Sequence, residues 1–298
     1  EQITYYPLPN REKMSTKRID AHQHFWNYEP VAFSWLNEDM KTLRRDFLPS
    51  DLRPLLRSYG MDGMIAVQAR QCEEETQFLL DLAEKNEDVI MGVVGWVDLR
   101  AENVEDRLAF WSKNKKLVGM RHIVQDEPDD EFLLRPDFLR GVALLKKYDL
   151  TYDILIYPKQ LKAAAKFVAL FPEQPFVVDH IAKPFIKDHI VGEWENGIRA
   201  LAAFPNVYVK VSGMVTEADW KNWKEEDFTA YLDIIFDAFG TKRVMIGSDW
   251  PMMTLCGEYA QVLDIVKRYI ARFSQEEQDM ILGGNADHFY LHRCHFAI

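Results

Sequence analysis

KRIDAHQHF, residues 17–25, is a β-rich run that places His22 and His24 at its C-terminal end. Residues one apart on a strand point to the same face, so both imidazoles can reach one ion or one substrate. Seven further runs of this kind follow: MDGMIAVQ (61–68), VIMGVVGWVD (89–98), LVGMRHIV (117–124), LTYDILIY (150–157), PFVVDH (175–180), VYVKVSG (207–213) and VMIGSD (244–249). Each is rich in Val, Ile or aromatic residues, and several are nearly unbroken apolar stretches, as parallel strands buried on both faces require. Helical patterns fill the intervals. EEETQFLLDLAEKN opens acidic and closes on Lys85, matching the helix dipole. Pro136 suits a first helical turn, SQEE at 274–277 reads as a capping box, and further helices follow Lys159, Gly192, Glu225 and Gly257. Eight β–α alternations without a linker predict one α/β domain over 17–298, a (β/α)8 barrel rather than a doubly wound sheet. Residues 1–16 read as an N-terminal extension, with Met14 opening a natural start.

The bulk properties are those of an ordinary globular domain. The chain has 298 residues, 48% of them hydrophobic and 28% charged, enough for a large core. A net charge of −11 argues against a nucleic-acid partner and against anionic membranes. No run of about 18 apolar residues exists, so no membrane span is expected. Cys72, Cys256 and Cys294 are sparse and odd in number, which fits a reducing cytoplasm better than a disulfide framework. A small-molecule substrate is the expected partner, and a homo-oligomer is compatible with the composition.

In such a barrel the chemistry gathers at the C-terminal ends of the strands. Those ends carry His22, His24, Gln68, Trp96, Asp98, Arg121, His122, Asp153, Tyr157, His180, Lys210, Ser212 and Asp249. Polar groups on apolar strands are costly unless satisfied or used. His22 and His24 read as paired ligands to Zn²⁺ or a similar ion, with Asp249 closing the site. The competing explanation is a hydrogen-bonded pair that braces the barrel. Asp249 is also the candidate general base, against a role as the cap of the turn before Trp250-Pro251. His180 is a candidate to polarise a carbonyl or hold a water. Arg121 and His122 alternate faces, so only one points inward, and either is a candidate for a substrate oxygen. Gln68, Tyr157 and Lys183 are candidate substrate contacts. Lys210 reads as a carboxylate binder or as half of a structural ion pair. Trp26, Trp35, Trp96 and Trp250 are candidates for the pocket wall. The longer segments from Trp26 to Pro49 and from Gln125 to Arg135 are expected to cover the pocket. Phosphate loops, strand-linked GxGxxG, GxSxG and HExxH are absent, so nucleotide-dependent and serine-hydrolase readings lose support.

The runs IDAHQHFW, GMRHIVQDEP, FVVDHIAKP, VYVKVSGM, VMIGSDWP and NADHFY, in this order, resemble the amidohydrolase superfamily. The resemblance is to its amidohydrolase 2 branch, and there to the sugar-lactonase group that includes L-fuconolactonases and L-rhamnonolactonases. It extends from about Arg18 to about Leu291. It implies a distorted (β/α)8 barrel and hydrolysis of lactones by activated water. Residue by residue it assigns His22 and His24 to the strand-1 pair, His180 to the strand-6 histidine and Asp249 to the strand-8 aspartate. Two departures set the chain apart from binuclear members: Asp153 stands on strand 5 in place of a histidine, and Arg121-His122 stand where a metal-bridging Lys or Glu would be. These imply one divalent metal, zinc foremost, or metal-independent catalysis. The implied substrate is a neutral aldonolactone, opened to an aldonic acid. The alternatives are an aromatic or pyrone-dicarboxylate lactone hydrolase, a non-oxidative decarboxylase of the same superfamily, and a silent sugar-binding barrel.

Overall fold

The structure, a computed structural model, describes residues 16–292. Cys294, His295 and nearly all of the expected N-terminal extension lie outside the described residues. The predicted strands are all present: β1 (Ile19–Gln23), β2 (Gly63–Val67), β3 (Ile90–Gly95), β4 (Leu117–Ile123), β5 (Thr151–Leu155), β6 (Phe176–Val178), β7 (Val207–Val211) and β8 (Val244–Ile246). They pair in parallel in chain order. The seam between first and last strand is thin. A single parallel bridge, Gln23 to Trp250, closes it, supported by Asp249 N–H donating to the His22 carbonyl at 2.8 Å. The register of β1 against β2 also shifts between Asp20 and Gln23, beside His22. This is the barrel distorted where the candidate ligands sit.

Each strand is followed by a helix: α1 (Pro49–Tyr59), α2 (Glu73–Lys85), α3 (Val104–Trp111), α4 (Pro136–Val142), α5 (Leu161–Ala169), α6 (Gly192–Ala202), α7 (Glu226–Phe239) and α8 (Tyr259–Ile270). The short α9 (Gln275–Asp279) then starts on the expected capping box, in which Ser274 Oγ accepts from Glu277 N–H and Glu277 accepts from Ser274 N–H. Alternation along the strands sorts the core. Tyr152, Ile154, Phe176, Val178, Val207 and Val209 pack outward under the helices, while Asp153, Val177 and Lys210 are enclosed within the barrel.

The end of the barrel away from the candidate site is plugged by the chain after α9. Phe289 and Tyr290 join Ile19, Val94, Val177 and Met245 in one buried cluster. A Cβ on Gly283 would stand 1.9 Å from the Lys17 carbonyl oxygen, so glycine is what lets this segment lie against the start of β1. Among the described residues, no helix is long and apolar enough to cross a membrane.

Candidate active site

A cavity of about 480 Å³ opens at the C-terminal ends of the strands. His24, Arg121, His180 and Asp249 lie on its floor, and Trp26, Trp35, Tyr157 and Trp220 contribute to its walls. The expected covering segments take part, through Trp26, Trp35 and Met40 after β1 and Gln125 and Asp126 after β4. Two more loops, carrying Thr216, Glu217 and Trp220 after β7 and Met252 and Leu255 after β8, complete the rim.

The floor is built around one carboxylate oxygen. Asp249 Oδ1 lies 3.3 Å from His24 Nε2 and 3.9 Å from the Nε2 atoms of both His22 and His180. It is buried and has no hydrogen-bond partner of good geometry. His24 Nδ1 stands 2.8 Å from the Val67 carbonyl, which can only accept, so its proton belongs on Nδ1. His22 Nδ1 faces Asp179 Oδ1 at 3.3 Å, and the Ser212 hydroxyl faces His180 Nδ1 at 2.9 Å. With protons on Nδ1, His22 and His24 turn Nε2 lone pairs toward Asp249, whereas the Ser212 hydroxyl can donate to His180 Nδ1 and leave the His180 proton on the Nε2 that faces the cavity. Burial lowers His22 well below its ordinary range against the pull of Asp179, and brings His180 down to about 4 against Asp249 and Asp179. Burial alone would raise the Asp249 carboxyl, but at the low pH where it titrates His180 is itself protonated, and that charge, with His24 and His22 beside it, outweighs burial and holds the carboxyl below the usual range. His22, His24 and Asp249 each offer one ligand atom, all within 4.8 Å of one another. An orphaned carboxylate oxygen with two imidazole nitrogens is a donor set that suits zinc.

Beneath this floor lies a buried charge network. Lys210 Nζ is 2.5 Å from Asp153 Oδ2, 3.0 Å from Asp179 Oδ1 and 3.2 Å from His22 Nδ1. Tyr290 donates its hydroxyl to Asp153, tying the barrel plug to the network. Arg121 Nη1 donates to Asp179 Oδ2 at 3.0 Å and approaches His22 Nε2 at 3.4 Å. Its Nε and Nη2 are taken by the side chain and carbonyl of Gln68. Lys210 is thus half of a structural ion pair. Gln68 serves Arg121, and it is Arg121 that meets the cavity.

The backbone at the site is strained. His180, Ile181, Ala182 and Lys183 have φ of 53°, 48°, 57° and 50°, and Asp249 has φ of 60°. Each such non-glycine residue costs about 1–2 kcal/mol. Burial of Ile181 and Ala182, and a 2.7 Å bond from the Trp194 indole of α6 to the Ile181 carbonyl, hold the turn. Its three-residue repeat sends His180 and Lys183 into the cavity and the two residues between them into the core. Gly213 completes the fit. Its φ is +59°, and a Cβ there would lie 2.5 Å from His180 Nδ1.

Three expected residues are elsewhere. Arg121 takes the inward face of β4, so His122 faces the helices, stacked on Phe132 at 4.7 Å and bonded to Glu127 at 2.6 Å. Trp96 donates to His122 and lines a separate surface groove with Asp98. Alternation along the strand removes both from the candidate site. Trp250 also leaves the wall and packs edge-on against Phe25 and Phe47. Asp179 was missed as a site residue. It shares a face of the strand with Val177, a parity that the prominence of His180 masked. Glu217 and Trp220 belong to an irregular loop that carries no periodic signal.

A family model described as amidohydrolase matches residues 19–291. An L-fucono-1,5-lactonase of Burkholderia multivorans is 41% identical over 288 residues, covering 93% of this chain and 97% of the relative. An L-fucono-1,5-lactonase of Burkholderia ambifaria is 35% identical over 282 residues, with 92% and 96% covered. A solved amidohydrolase from Burkholderia multivorans with bound zinc superposes at a TM-score of 0.89, with 41% identity over 92% of this chain and 99% of that one.

Proposed function

Because the chain belongs to the amidohydrolase family, we propose that it opens a sugar lactone, of the L-fucono-1,5-lactone kind, to its aldonic acid. The relatives named as L-fucono-1,5-lactonases, alike over nearly their whole length, support the substrate class. The single observation that carries the chemistry is Asp249 Oδ1, buried and unpaired among three imidazole nitrogens at the floor of an aromatic-walled cavity.

Asp249 is the proposed general base. Held ionised, it accepts a proton from water while the water oxygen bonds to the lactone carbonyl carbon. Charge developing on the carbonyl oxygen is met by His180 and by the Arg121 guanidinium, which Gln68 and Asp179 hold in place. The ring C–O bond then breaks, and the Asp249 carboxyl returns its proton to the departing alkoxide. The free acid ionises and releases one proton to solvent. Zinc held by His22, His24 and Asp249 would supply Lewis acidity toward the carbonyl oxygen. The walls from Trp26, Trp35 and Tyr157 offer faces to the sugar ring.

The test is acid release from L-fucono-, L-rhamnono-, L-galactono- and D-arabinonolactone in weak buffer with a pH indicator, with and without prior chelation. Enzyme-dependent acidification establishes the lactonase. Activity lost on chelation and restored by zinc gives the ion an essential part, and activity that survives chelation assigns carbonyl polarisation to the protein's own groups. No acidification on any sugar lactone would refute the proposal.

A further inference from the structure

The charged lining of the cavity is unbalanced. Asp126, Glu217 and Asp249 face Arg121 and Lys183, three carboxylates against two cations. Arg121 is already engaged by Asp179 and Gln68. Lys183 is the remaining cation, and its partner is Glu217, with Nζ 3.7 Å from Oε1. That separation is too long for a hydrogen bond. The ammonium and the carboxylate therefore each keep hydrogen-bonding capacity, although their side chains are only 17% and 22% exposed. The left-handed turn that carries His180 fixes Lys183 on the same side as the candidate catalytic groups. Tyr157 lies beside it, with Nζ 5.5 Å from the ring centroid, and Trp220 follows Glu217 on the same loop.

This is the chemistry of a polyol subsite. A carboxylate accepts from two neighbouring hydroxyls, an ammonium donates to hydroxyl oxygens, and aromatic faces cover the C–H surface of a ring. The same carboxylate repels a substrate that carries its own. We propose that Lys183 and Glu217 form the specificity pair of the site: together they hold adjacent hydroxyls of a neutral sugar lactone, and Glu217 rejects lactones bearing a ring carboxylate. The proposal rests on the sugar-lactonase reading and adds which residues select the substrate. Sequence alone flagged Lys183 and was silent on Glu217.

The experiment compares L-galactonolactone with the lactone that bears a carboxylate at C6 in its place, using wild type, Glu217→Gln and Lys183→Met. Thermal melts verify that each variant is folded. Glu217→Gln is expected to raise KM for the neutral lactone about tenfold with kcat within about threefold, the pattern of lost uniform binding. It also narrows the preference for the neutral over the carboxylate-bearing lactone by about tenfold or more. Lys183→Met raises KM for the neutral lactone and widens that preference, because Glu217 is then unopposed. Unchanged KM and unchanged preference in Glu217→Gln overturn the proposal while wild-type turnover keeps the lactonase reading intact. A wild type that opens no aldonolactone overturns both.

Discussion

Lys210 Nζ lies 3.0 Å from Asp179 Oδ1, and both side chains are fully buried. The same ammonium pairs with Asp153, which among the described residues has no second cation beside it, whereas Asp179 also keeps Arg121. Removing one partner of a buried pair leaves the other charge without compensation. Lys210→Met is expected to lower stability by about 3–5 kcal/mol. A urea midpoint that falls at constant slope would verify this. A loss below about 1 kcal/mol would mean that the network is satisfied by other means.

Asp249→Asn keeps the shape of the floor and removes its base. Acid release is expected to fall by about 10²-fold or more, with the fold retained. Near-normal turnover in a folded variant would sink the assignment.

His122 supports the helix layer instead of the cavity, through Glu127, Trp96 and Phe132. His122→Gln is expected to leave kcat/KM unchanged within about twofold and to cost about 1–3 kcal/mol in stability. Parallel denaturation and rate measurements separate the two effects, and a large fall in kcat with normal stability would return His122 to the site.

Glu75, behind the Ala69 wall of the cavity, provides a pH signature of its own. Its Oε2 accepts from Ala69 N–H at 3.0 Å and Arg70 N–H at 2.6 Å, while Oε1 is buried without a partner. Burial pushes the carboxyl from 4.5 up to about 7. Between those values the native state keeps a proton that the unfolded chain has released. This contribution is fully present below pH 4.5, is lost as pH rises to about 7, and amounts to about 3 kcal/mol. Glu75→Gln retains an acceptor and needs no proton. Its stability relative to wild type should climb across that window and then level off. Unfolding curves taken from pH 4.5 to 8 that stay parallel would contradict this.

Zinc should bind at one equivalent per chain, read by metal analysis after dialysis against limiting zinc. His24→Ala is expected to weaken retention by at least about tenfold, whatever its effect on turnover. Equal zinc content in wild type and variant would place the ion elsewhere.

The barrel was legible because strands of a parallel sheet buried on both faces are rich in apolar residues, as GMIAV, IMGVVG and VMI are throughout, and eight such β-rich runs alternate with helical patterns. The core of the site was legible for a related reason. His22, His24, His180 and Asp249 stand out at strand ends where polarity is costly, and the structure brings them together. What was hidden is backbone conformation and its consequences. Nothing in Ile181 or Ala182 announces a positive φ, yet that turn is why the adjacent Asp179 and His180 both reach the site. Gly213 looked like any strand-end glycine until a close approach to His180 gave it a reason. Arg121 and His122 were a parity question, which required the register of β4 to answer.

The imbalance of charge lining the cavity acts again after the bond breaks. A lactone enters uncharged and departs as an anion. Three carboxylates surround it, and Arg121, the cation nearest the reacting carbon in the proposed mechanism, is already held by Asp179. A pocket of this sign tolerates the incoming ring and expels what it becomes. In the metal-free site, repulsion of the product is therefore expected to help turnover, and aldonate added to an initial-rate assay is expected to inhibit only weakly.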